Sequence, residues 1–137
     1  MKKKYVCILV LLFSCMVFSQ SPEKMSYQAI VRNSNNELVQ DASIGIQISI
    51  IKQSANGNAV YAETHIVNTN NNGLITIQIG TGSQITGVFS DIEWGSDSYY
   101  IKSEIDIEGG DNYTISGTSE LLSVPYALHA KEAENII

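Results

Sequence analysis

The chain has 137 residues, with 8 Lys and Arg against 14 Asp and Glu, for a formal net charge of -6. That length suits one domain and excludes two ordinary cores. With no basic stripe to neutralise phosphates, nucleic acid is excluded as a partner class.

Lys2, Lys3 and Lys4 precede an apolar run from Tyr5 to Phe18 that only Ser14 interrupts. A short positive segment, a brief apolar block and the Val17-Phe18-Ser19 site ahead of Gln20 form the layout of a secretory signal peptide, residues 1–19. Leu12-Phe13-Ser14-Cys15 also resembles a bacterial lipobox. Membrane attachment is expected only if Cys15 is lipidated, and Phe13 is bulky for its slot. Removal of the leader takes three lysines and no acids, which leaves 5 basic against 14 acidic residues, or -9. Both cysteines, Cys7 and Cys15, leave with it. The exported chain then has no disulfide, no thiol nucleophile and no cysteine-based zinc site.

From Ser26 onward the pattern alternates with period two, the mark of half-buried strands. Tyr27, Ala29 and Val31 open the series. Ile44, Ile46, Ile48 and Ile50 follow. Val60, Ala62, Thr64 and Ile66 are expected to face the core, with Tyr61, Glu63 and His65 on the solvent side. Ile75, Ile77 and Ile79 come next, then Tyr99, Ile101, Ser103, Ile105 and Ile107, and finally Tyr113 and Ile115. Asn56-Gly57 and Asn72-Gly73 read as hairpin turns. The expected fold is an all-β antiparallel sandwich of six to seven strands over residues 20–123, immunoglobulin-like or prealbumin-like, with a small barrel as rival.

Val88 to Gly95 breaks the alternation. Phe89, Ile92 and Trp94 are expected on one side of a short helical turn capped by Ser90, plugging one end of the sandwich. Pro125 suits the first turn of a helix, so residues 124–137 are expected to be a short helical or linker segment. Tyr126, Ala130, Ala133 and Ile137 are spaced four, three and four apart, a candidate association seam for a protein partner or a second copy.

Several stretches resemble an N-terminal module of secreted surface proteins of Bacteroidota-type bacteria. They are Pro22 to Arg32, Tyr61-Ala62-Glu63-Thr64-His65, Gly73 to Gly80, Tyr100 to Asp106 and, most specifically, Gly117 to Ala130. The resemblance implies a module that usually precedes collagen-like repeats, a tail-fibre-like stalk or a paralogous surface domain. The resemblance supplies no catalytic residues to carry over. The sequence stops at Ile137, where such a region would begin; a stand-alone form, a truncated gene and the head of a split protein all fit.

No catalytic constellation is legible. His65 and His129 are tied to no serine or second ligand. Asp106-Ile107-Glu108-Gly109-Gly110-Asp111-Asn112 could hold Ca²⁺ through oxygens, although it is not an EF-hand loop; otherwise no cofactor is expected. The leading expectation is a non-catalytic structural or adhesive module, secreted or at the outer cell surface. The alternative is a carbohydrate-binding module, with Trp94, Tyr99 and Tyr100 as candidate glycan contacts.

Overall fold

The computed structural model describes residues 23–122. The expected leader at residues 1–19 with Cys15, and the expected helical or linker segment 124–137 with the candidate seam at Tyr126, Ala130, Ala133 and Ile137, lie outside the described residues. Seven strands follow in chain order: β1 (Met25–Ile30), β2 (Ser43–Lys52), β3 (Ala59–Asn68), β4 (Leu74–Ile79), β5 (Ser83–Thr86), β6 (Tyr99–Asp106) and β7 (Ile115–Glu120). They form a five-stranded sheet in the order β5-β3-β2-β6-β7 and a two-stranded sheet, β1-β4. Every pairing is antiparallel. Two separate sheets make this a β-sandwich rather than a closed barrel.

The isoleucine rows set the core. Ile44, Ile46, Ile48 and Ile50 leave β2 on one side and are fully buried, and Ile75, Ile77 and Ile79 from β4 join the same cluster. Tyr99, Ile101 and Ile105 of β6 extend it, and Met25, Tyr27 and Ala29 of β1 pack against its margin. Side chains two apart share a face, so a single row of branched residues fills one layer of the interior.

β2 is buried on its outward side as well. Gly45 and Ser49 have no solvent access to speak of, although they alternate away from the core. The turn after β6 folds over Gly45, and a methyl group built there would collide with the Gly110 carbonyl. Gly45→Ala is therefore expected to cost about 1–3 kcal/mol, the usual penalty for overpacking against backbone that cannot yield. Urea denaturation measures it; a loss below about 0.5 kcal/mol would mean that the turn lifts away freely.

Three sequence expectations change. Ser54 to Asn58 does link a hairpin, β2-β3, but Asn72-Gly73 joins strands of different sheets. There the Asn70 side chain accepts from the Asn72 and Leu74 N–H groups (2.8 and 3.0 Å), and Gly73 takes φ +71°. An Asx turn of this kind redirects the chain as readily as it closes a hairpin. The helical turn at Phe89–Asp91 is a single 3-10 turn with Val88 at its N-cap, and no side chain caps it, so Ser90 sits inside it. β3, finally, is inverted: Tyr61 and Glu63 are buried, and Ile66 is 67% exposed.

Candidate functional site

The inversion of β3 buries a carboxylate. Glu63 is 0% exposed and faces Ile48 across the β2-β3 ladder. The Tyr61 hydroxyl donates to its Oε2 at 2.5 Å, and His65 Nε2 stands 2.6 Å from Oε1. An ionised carboxylate only accepts, so Nε2 carries the hydrogen in this contact. The Gly80 N–H is shared by both oxygens (3.1 and 3.0 Å), and the Gly82 N–H reaches Oε2 at 3.1 Å. Gly80 and Gly82 belong to the corner where the chain passes from β4 in one sheet to β5 in the other. The corner can lie this close because Gly82 has no side chain; a methyl group there would meet the His65 ring at 2.6 Å.

Burial pushes the Glu63 carboxyl up, but hydrogen bonds from Tyr61, His65, Gly80 and Gly82 together outweigh it and hold the group below its ordinary value. Tyr61 moves the other way: burial and then the neighbouring Glu63 carboxylate raise its hydroxyl far above its usual range. Each oxygen of Glu63 already accepts from two or more donors. By these bonds Glu63 of the large sheet clamps the corner that leads out of the small one.

Asp106 repeats the device at the end of β6. It is 5% exposed. Its Oδ1 accepts from the Glu108 N–H at 2.9 Å, and its Oδ2 from the Gly110 and Asn112 N–H groups at 3.0 Å each. The acid-rich turn that could hold Ca²⁺ therefore points its first carboxylate at its own backbone. Among the described residues, no group of three or more His, Cys, Asp and Glu side chains is placed to hold a metal ion.

The candidate glycan contacts do not share a platform. Tyr99 is only 4% exposed, and its hydroxyl donates to the Glu93 carbonyl at 2.8 Å. Tyr100 follows it in β6 and so leaves the opposite face. Trp94 is 41% exposed but is packed edge-on between Phe89 (5.7 Å) and Tyr99 (5.2 Å), with Phe89 in turn 5.3 Å from Tyr61. These T-shaped contacts make a hydrophobic plug over the end of the sandwich, as the Phe89–Trp94 spacing suggested.

Sequence reasoning missed an open groove of about 570 Å³ on the outer face of the large sheet. Gln47 and Thr64 belong to its floor, and Ile66, Ile85, Asp111 and Tyr113 line it too. No Lys or Arg is among its lining residues. Burial, then Asp111, Glu104 and Asp106, raise the Tyr113 hydroxyl, which marks the surroundings as negative. The alternation carried no sign of it, since it depends on which face of β3 turns outward.

A family model matches residues 26–121, about the whole of the sandwich. The chain belongs to this family, DUF8740, a domain of unknown function. No curated protein and no solved structure matches the chain. The DUF8740 match begins in β1 and ends one residue past β7, so the Glu63 clamp, the Asp106 turn and the outer groove all belong to the family's domain.

Proposed function

We propose that this DUF8740 protein is a non-catalytic, exported structural or adhesive module at the cell surface. Its C-terminal segment, from Val124 onward, would serve stalk attachment or self-association. The observation that carries this reading is how the interior polar groups are used. Glu63 ties one sheet to the other, Asp106 organises a turn, and the Thr69 hydroxyl exchanges hydrogen bonds with the Ala42 N–H and carbonyl. Among the described residues no buried side-chain nitrogen or oxygen lacks a partner. Polar groups spent on the fold leave the surface, rather than a pocket, to do the work. The leader-like N-terminus, the likeness to Bacteroidota-type surface modules and the helical spacing of Tyr126, Ala130, Ala133 and Ile137 support the same reading, and an immunoglobulin-like or prealbumin-like strand arrangement is part of the proposal.

The carbohydrate-binding alternative has less to rest on, because Tyr99 lies beneath Trp94 and Tyr100 is on the other face. The test expresses the full gene in a Bacteroidota-type host and follows cleavage and protease accessibility on intact cells. Removal of residues 1–19 and digestion from outside are expected. A chain that keeps its leader and stays in the cytoplasm would refute the proposal.

A further inference from the structure

The five-stranded sheet ends in two different ways. At one side β5 has four residues, and the β3-β5 register breaks between Ala62 and Glu63. Short, bulged strands are the usual protection of a sheet edge. At the other side β7 runs six residues in unbroken register with β6. It holds no Pro, Lys or Arg, and from Ser116 to Glu120 it is exposed on both faces.

The direction of the main-chain groups that no described residue pairs with follows from two hydrogen bonds. The Leu121 N–H donates to the Tyr99 carbonyl at 2.8 Å, in the same register that pairs Ser119 with Ile101 and Gly117 with Ser103. On the far side of β6 the Gln53 N–H donates to the Ser98 carbonyl at 2.8 Å, which assigns the even-numbered residues of β6 to β2. Antiparallel residues bond alternately to either side. Gly117 and Ser119 therefore face β6, while Ser116, Thr118 and Glu120 turn both N–H and C=O outward.

We infer that β7 pairs antiparallel with β7 of a second copy of this chain, joining two five-stranded sheets into one. Only an even-to-even register lets the outward groups meet. The centred one sets Thr118 opposite Thr118 of the second copy and Ser116 opposite its Glu120. Each facing pair exchanges both bonds. Like charges never face each other across this seam, and a facing Thr–Thr pair is favourable. The strand can thus pair with itself with no charge clash, which fits a second copy as the occupant. The net charge of -6 opposes the approach at long range, so association should tighten from low to physiological salt. This inference stands on β7 and does not rest on export or on the segment from Val124.

Hydrogen exchange on the purified protein, from expression of the full gene, is the test. The amides of Ser116, Thr118 and Glu120 are expected to gain protection as protein concentration rises, while those of Gly117 and Ser119 stay protected throughout. Thr118→Pro removes one outward N–H and no bond to β6. Thr118→Glu places carboxylates opposite each other at the seam, yet within its own sheet it sits across from Lys102 and so retains the fold. Sedimentation equilibrium should show each weakening association by at least about tenfold. Free exchange of the three amides at every concentration would overturn the inference. So would their protection in the monomer, which would mean that the chain's own segments cover the edge. Protection arising at Ser26, Gln28 and Ile30 of β1 instead would also overturn it, as would association that survives both variants, which would leave the seam at Tyr126 as the contact.

Discussion

Glu63→Ala is expected to lower the unfolding free energy by about 3–5 kcal/mol, the range for stripping one partner from a buried, charged hydrogen-bonded cluster. The loss has identifiable parts. The Gly80 and Gly82 N–H groups, the Tyr61 hydroxyl and the His65 ring all lose their acceptor at once. Each buried donor left without a partner costs about 1–3 kcal/mol, less whatever water restores. Glu63→Gln retains the volume and one acceptor oxygen, so a smaller loss is expected. pH separates charge from shape. The folded carboxyl titrates below its unfolded value of about 4.3, so its contribution is complete above that value and disappears as pH falls through the lower folded one. The stability gap between the native chain and Glu63→Gln should accordingly hold from neutral pH down to about 4.3 and narrow below it. Urea denaturation across that range is the measurement; a gap that stays constant into acid would show that Glu63 is buried as a neutral acid.

Asp106→Ala should cost about 2–4 kcal/mol, because the carboxylate holds three N–H groups of one turn. The effect should reach beyond the turn. Gly110, bound to Asp106, covers Gly45 at the centre of the sheet. Once Asp106 is removed, the turn is free to move aside, and Gly45→Ala should lose much of its own penalty. A double-mutant cycle over these positions is expected to be non-additive by more than about 0.5 kcal/mol. Strict additivity would mean that the turn is held by contacts other than the carboxylate.

The period of β1, β2, β3, β4 and β6 was legible in the sequence, but the phase was legible only where one side was unambiguously apolar. Ile44 to Ile50 left no choice, and the core forms where they place it. In β3 both sides carry residues able to pack: Val60, Ala62 and Ile66 on one, Tyr61 on the other. What decides between them is a set of donors from Gly80 and Gly82, seventeen and nineteen residues away, which no local pattern encodes. The role of Asp106 was hidden for a different reason: its partners Glu108, Gly110 and Asn112 are local, but a run of acids and glycines reads as an open acidic loop until the carboxylate is seen to turn inward. β5 was invisible because four exposed residues have no apolar period. The aromatic plug was legible as a cluster, since Phe89, Ile92 and Trp94 stand together in the chain.

The central position of β2 has a consequence for biosynthesis. Its two neighbours are β3, which emerges next, and β6, which emerges only near the end of the described chain. While the ribosome works between them, a strand of five isoleucines has one flank unsatisfied and must avoid sticking to other nascent chains. The polypeptide should mature late and all at once, making it dependent on holding factors up to the final hairpin. Stalled fragments ending before Tyr99 are expected to be protease-sensitive, and those extending past Glu120 resistant.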